Sequence, residues 1–446
     1  MRLLLALVAL LAGSAAPARA ELPPIQHVFV IVLENEDQQV TFGPGSAAPY
    51  LANTLTAEGL TLPRYYGVAH QSFPNYVAMV SGQGANILGQ ADCQVYSDVV
   101  PGTHGPDGQA MGLGCVYPSW VKTLADQLDA KGLSARSYVE DLEKGTPTTC
   151  RHPVLNHFDP TQSARANDQY AARHNPFVYF HSLLDSGACT RDDVPLTQLA
   201  GDLAAGRAPS YALIVPNLCH DGHDSPCKAG GEPGGLKSAD AELKALIPQI
   251  TASRAYKDGG LIVVTFDESA HGAAACCGEP QFPNTPNNAG ITAFGRGGGQ
   301  VGAVLLSPYI QPGTVDQTPY NHFSLLRSIE DLFGLGHLGY AARPDLKSFG
   351  ADVFDGPRCF NRPLPAAKRG RFAAGALVTA ARVRGHKLDL TAAHSASVRI
   401  RVGRRALGPS RMTACATYSV GLPRGHGTVT IRARVHAGYE QRRLRF

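Results

Sequence analysis

Four short runs, at 27–33, 211–216, 261–266 and 301–307, are apolar and rich in β-branched residues, with no polar alternation. A strand with one wet face alternates, so these runs need cover on both faces, the condition of strands in a largely parallel sheet. Between them, residues 119–131, 195–205, 239–256 and 322–333 carry apolar side chains at three- and four-residue spacing, which predicts helices. Strands alternating with helices predict an α/β fold, a mostly parallel sheet sandwiched by helices. Glycine- and proline-rich stretches at 101–114, 230–235 and 278–299 read as long surface loops of the kind that serve a site.

Charge divides the chain. Residues 366–446 hold 17 lysines and arginines against two acids, Asp389 and Glu440, a net +15; the whole 446-residue chain is +4, so the rest sums to −11. Such asymmetry marks a boundary. Residues 357–372 are proline-rich and basic and read as a linker after a body at 21–356. Residues 373–446 then alternate apolar with polar or arginine residues at 376–383, 387–390, 397–402, 414–420 and 428–435, the period of a small antiparallel β-sandwich with a solvated face.

The first 20 residues have a positive start, an apolar run from Leu3 to Leu11 and an Ala18-Arg19-Ala20 ending, the pattern of a secretory signal peptide. That places the mature chain outside the cytoplasm, secreted, periplasmic or on the cell surface. The ten cysteines, an even number, then read as disulfides rather than metal thiolates. Cys219 and Cys227 could close a short loop, and Cys276-Cys277 could bridge internally or reach two partners.

Chemistry gathers where the expected strands end, since ligands bind outside the carboxyl ends of strands in open α/β sheets. The first run ends in Glu34-Asn35. Asp267-Glu268 follows the third, and two adjacent acids suggest a shared cation. The run at 211–216 is followed by Asn217-Leu218-Cys219-His220-Asp221-Gly222-His223-Asp224, dense in donors for a hard ion or zinc. Ser72 stands two residues before Pro74, so it falls at a helix start, where the dipole favours a phosphate on its oxygen; a simple N-cap is the plainer role for such a serine. His322 opens the 322–333 helix.

The order of these pieces, in "HVFVIVLEN", "HQSFPNYVAMVSG", "RHNPFVYF", "PNLCHDGHD", "VVTFDES" and "TPYNHFSLLRSIEDLFGL", resembles the alkaline phosphatase superfamily. It is more closely similar to the bacterial and fungal phosphoesterase family that contains acid phosphatases, phosphatidylinositol-3-phosphatases and phospholipases C. The resemblance spans residues 25–354 and implies an alkaline-phosphatase-like sheet. It implies that Ser72 is the nucleophile, that Asn75 donates to the phosphate, and that Glu34, Asn35, Asp267 and Glu268 with Ser72 hold a divalent metal. It further implies that Asp221, His223 and His322 bind a second metal or stabilise the leaving oxygen; His70 is a candidate substrate contact, with Asp224 and Asn217 beside it.

The sequence reading is therefore a secreted, metal-dependent phosphomonoesterase working through phosphoserine, an acid phosphatase with phosphatidylinositol 3-phosphate among the implied substrates. A phosphodiesterase or phospholipase C of the same fold is one alternative, a decayed surface-binding protein another. Glu36-Asp37-Gln38 departs from the Arg-Ser-Phe-Asp typical of the phospholipase C branch, and Trp120 is the single tryptophan, which leaves no aromatic choline cage. The arginines of the tail alternate, as at Arg399 and Arg401 or Arg432 and Arg434. They suit contact with an anionic cell or membrane surface; signals of nucleic-acid readers are missing.

Overall fold

The structure is a computed structural model that describes residues 22–285 and 297–354, together with 370–371, 378–392, 396–408, 410–412, 417–435 and 438–446 of the C-terminal region. The expected leader lies outside these residues, as do 357–369 and 372 of the expected linker.

The body is built on an eight-stranded sheet. Its strands are β1 (His27–Leu33), β2 (Leu60–Leu62), β3 (Ala135–Val139), β4 (Asp193–Pro195), β5 (Tyr211–Val215), β6 (Gly260–Phe266), β7 (Ala303–Leu306) and β8 (Thr314–Val315), in the spatial order β8-β2-β7-β6-β1-β5-β3-β4. The five strands from β6 to β4 run parallel. β7 turns antiparallel to β6, and β2 to β7. The four expected apolar runs became β1, β5, β6 and β7, and β5 and β6 are wholly buried. Each such side chain contributes about 1.5–3 kcal/mol relative to exposure.

Among the described residues the four longest helices are α1 (Ser72–Ser81), α2 (Leu124–Ala130), α3 (Gly235–Ala252) and α4 (His322–Phe333). α4 fills its predicted span. α2 starts late because Thr123 and Asp126 form a reciprocal capping box there. The span predicted to 256 breaks at Ser253, whose Oγ accepts from Tyr256 N–H at 3.2 Å and starts a separate turn. Residues 195–205 split too: Pro195 closes edge strand β4, and the helix covers only Leu199–Ala204. All ten residues of α1 are buried. It ends at Gly82 (φ 69°), where a Cβ would stand 2.3 Å from the Leu338 carbonyl oxygen, so only glycine fits.

In the C-terminal region a three-stranded antiparallel sheet (Val378–Arg384, Lys387–Ala392, Thr417–Gly421) and a six-stranded one enclose a core that includes Leu388, Leu390, Val398, Ile400, Val429 and Ile431. This is the expected sandwich. Gly370–Arg371, within the stretch expected as linker, pairs with Gly438–Arg445.

Candidate active site

Register explains why distant residues meet. Leu33 of β1 lies opposite Phe266 of β6, so Glu34 and Asp267 leave adjacent strands at one level. Asp267 N–H donates to the Leu33 carbonyl at 2.9 Å, and Glu34 N–H donates to the Asp221 carbonyl at 2.9 Å, which draws the loop after β5 against both. The Cys219–Cys227 disulfide closes that loop.

Glu34 is fully buried and is the hub. Its Oε2 accepts from Ser72 Oγ at 2.7 Å and its Oε1 from Tyr76 OH at 2.6 Å. Since Ser72 and Tyr76 are one helical turn apart on α1, this pair of bonds fixes the helix start over the strand end. Asn35, at φ 58°, donates from its backbone to Asp267 Oδ1 at 3.0 Å, a left-handed conformation that asparagine tolerates. On the other side His174 Nδ1 lies 3.2 Å from Asp221 Oδ2, and His174 Nε2 lies 3.5 Å from Glu34 Oε1. His174 stacks on Tyr76 with ring centroids 5.2 Å apart.

The buried carboxylates of the site raise one another's proton affinity. Burial pushes Glu34 well above the ordinary carboxylate range, and the charges of Asp267 and Asp221 add to it. Burial raises Asp221 and Asp267 as well. Burial, with Arg173 and His223 nearby, holds His174 well below the usual histidine value, which leaves it neutral and able to ligate. The donors also fit a divalent ion. Glu34, His174 and Asp221 offer buried ligand atoms within 4.8 Å of one another, and Asp267 is buried beside Glu34 and Ser72. Carboxylate and imidazole together suit a hard or borderline metal. A second grouping of Cys219, Cys227 and Glu232 is no thiolate site, because its cysteines are joined to each other.

Of the residues singled out in the sequence, the structure brings Glu34, Asn35, Ser72, Asp221 and Asp267 together. Others have different partners. Asn75 donates both amide hydrogens to backbone, to Ala69 O at 2.8 Å and Gln71 O at 2.9 Å, and its Oδ1 accepts from Val68 and Ala69; it braces the turn before α1 rather than facing a ligand. Glu268 forms an ion pair with His70, whose Nε2 faces Gly272 O at 2.8 Å. His322 is fully buried, with Nδ1 3.1 Å from Tyr65 OH and Nε2 2.6 Å from the Asp267 carbonyl. It steadies the end of β6. His223 stands at the mouth, its Nε2 3.0 Å from Arg173 Nη2 and its Nδ1 2.8 Å from Asp224 Oδ1. Asn217 shapes its own turn, Oδ1 accepting from Cys219 and His220 backbone.

His174 and Arg173 were not predicted as site residues. Their segment, "RHNPFVYF", carries the family resemblance, yet it follows no apolar run and so gives no strand end from which to place a histidine.

His220, beside the site, is held by Glu140 (2.8 Å) and Glu232 (3.2 Å). The hydrogen bond to Glu140 leads in raising it to about 9. Because the folded value exceeds the unfolded value of about 6.5, this stabilisation is complete below about pH 6.5 and is lost as pH rises through about 9. His220→Gln should flatten the stability profile over that window by on the order of 1–3 kcal/mol, read from thermal unfolding at several pH values.

At the carboxyl edge of the parallel sheet, the site therefore brings a buried serine hydroxyl against one of several buried carboxylates. The chain belongs to the phosphoesterase family, whose model matches residues 45–336. It is 27% identical over 309 residues to a phosphate-repressible acid phosphatase of Penicillium chrysogenum, covering 69% of this chain and 59% of that one. It is 24% identical over 324 residues to a phosphatidylinositol-3-phosphatase of Mycobacterium tuberculosis, covering 73% of this chain and 82% of the relative. The chain thus spans less than two thirds of the fungal relative's length. A solved protein of the alkaline phosphatase superfamily from Vibrio parahaemolyticus superposes with a TM-score of 0.40 at 11% identity, over 92% of this chain and 79% of its own, a likeness too slight to build on.

Proposed function

We propose that this chain is a metal-dependent phosphomonoesterase in which Ser72 takes the phosphoryl group. The observation that carries the reading is the 2.7 Å hydrogen bond from Ser72 Oγ to the buried carboxylate of Glu34 at the first turn of α1. Glu34 orients the hydroxyl and accepts its proton as the oxygen attacks. A divalent ion held by Glu34, Asp267, Asp221 and His174 would supply the positive charge that favours the alkoxide and offsets the phosphoryl oxygens. Phe73 N–H is already donated to Asp92 Oδ1 at 3.0 Å, so the helix start offers the phosphate fewer amides than its position promises.

His223 is the histidine nearest solvent in the set and suits protonation of the leaving oxygen. Arg173 Nη2 occupies its Nε2, so the acid form requires that contact to open. Water then attacks phosphoserine in a second step.

Choline lipids are disfavoured, because Trp120 stacks on His104 at 3.7 Å and donates to Gly102 O rather than lining a cage. Acid phosphatases and a phosphatidylinositol-3-phosphatase among the relatives support soluble phosphomonoesters and phosphoinositides as the substrate class. The leader-like first residues and the disulfides Cys93–Cys115, Cys150–Cys189, Cys219–Cys227 and Cys276–Cys277 support an oxidising, extracytoplasmic location. Among the described residues no helix is long and apolar enough to cross a membrane.

The test compares p-nitrophenyl phosphate with bis-p-nitrophenyl phosphate across divalent ions. Turnover of the monoester at least about tenfold above the diester, abolished by chelation, is expected. Faster diester turnover would reassign the site to a phosphodiesterase, and inactivity with every ion would leave a decayed binding protein.

A further inference from the structure

The six-stranded C-terminal sheet packs one face into its core and leaves the other to solvent. Along Ala396–Val402 buried and exposed residues alternate, with Arg399 and Arg401 outward. In the neighbouring strand Thr428–Val435, Arg432 lies directly opposite Arg399, and in Gly438–Arg445, Arg443 lies opposite Thr430, itself opposite Arg401. Arg434 and Arg445 point the same way, and all six are exposed. Like charges directly opposite on a sheet are destabilising, so Arg399 beside Arg432 is a cost that no acidic side chain among the described residues offsets by an ion pair.

The two acids of the region do not relieve it. Glu440 is buried on the inner face, where Arg442 Nε meets it at 2.6 Å. Asp389 is in the other sheet, accepting from Ser419 Oγ at 2.9 Å. One arginine is pre-oriented, since Arg432 lies 4.0 Å over the Tyr439 ring.

We propose that this arginine face docks onto an anionic phospholipid bilayer. Charge complementarity calls for an anion, and guanidinium groups match phosphate oxygens in a bidentate way. The arginines form a two-dimensional array across three adjacent strands, which suits a planar surface; a linear polyanion is served by a single row or groove. Apart from Tyr439, whose ring lies under Arg432, the residues between them, Ser397, Thr428, Thr430 and Gln441, are polar, so binding is by charge at the headgroups. It does not depend on the catalytic reading.

The test is co-sedimentation of the full chain with vesicles of phosphatidylcholine alone and with about 30% phosphatidylglycerol. Binding is expected only to the anionic vesicles, with release as salt rises from about 0.1 M to about 0.5 M. Arg399→Gln with Arg432→Gln should weaken partitioning roughly 30-fold. The same loss of charge off the face, Arg382→Gln with Arg424→Gln, should weaken it far less. Relief of the like-charge pair should leave the unfolding temperature of the face variant equal or higher, which separates lost docking from lost folding. Equal binding to both vesicle types, equal losses in the two double variants, or tight binding of soluble polyphosphate without vesicle binding would each overturn the proposal.

Discussion

Ser72→Ala should lower turnover of p-nitrophenyl phosphate by at least about 10³-fold, because a covalent route loses its nucleophile and little remains beyond binding and charge stabilisation. The chain should remain folded. The hydroxyl is a donor to Glu34, and Tyr76 OH still donates to the other carboxylate oxygen at 2.6 Å, so one charge-assisted bond of about 1.5–3 kcal/mol is lost while the hub keeps a partner. Divalent ions should still bind, since Glu34, His174 and Asp221 are untouched. Loss of activity with metal affinity retained is the signature of a nucleophile. Near-wild-type turnover would reduce Ser72 to a helix-start residue.

Glu34→Gln should be as severe for a different reason. This side chain touches Ser72, Tyr76 and His174, so the change disorders the hydroxyl and removes a ligand at once, with a fall in kcat of about 10³-fold or more and weakened metal binding. It also has a consequence of opposite sign in metal-free protein. Burial holds Glu34 and Asp221 above their unfolded carboxylate values, so the native chain binds more protons than the unfolded one above about pH 4. Stability of chelator-treated protein should therefore fall as pH rises, by up to about 1.4 kcal/mol per pH unit for each such proton. Glu34→Gln removes one of these charges and should be relatively stabilised at about pH 8 compared with about pH 5. Thermal unfolding in EDTA reads this directly; equal slopes for wild type and variant would mean that the carboxylates are not held protonated.

The sheet was legible where burial on both faces wrote an uninterrupted apolar run, as in β1, β5 and β6. It was not legible at β2, β4 and β8, which are two or three residues long at or toward a sheet edge and too short for any period. β3, Ala135–Val139, carries Arg136 and Ser137 inside the strand, and Arg136 is satisfied by Asp202 from elsewhere in the chain; such a pairing has no local trace.

The site divided along the same line. Glu34, Asp267 and Asp221 could be anticipated because each follows a recognisable strand. His174 could not, since a three-residue turn at Ala172–His174 places it. Asn75 and His322 show the converse. Their residue types suit a ligand, but their hydrogen bonds go to the turn before α1 and to the end of β6, and a sequence does not record where a hydrogen bond goes.

The central claim is that phosphate passes through Ser72. The most direct measurement mixes enzyme and p-nitrophenyl phosphate, quenches in acid within the first turnovers, and maps the phosphorylated peptide by mass spectrometry. The account predicts phosphate on Ser72, in the peptide containing Ser72-Phe73-Pro74-Asn75, and none in Ser72→Ala. Product released at wild-type rate with no phosphorylated peptide, or with phosphate on another residue, would contradict it.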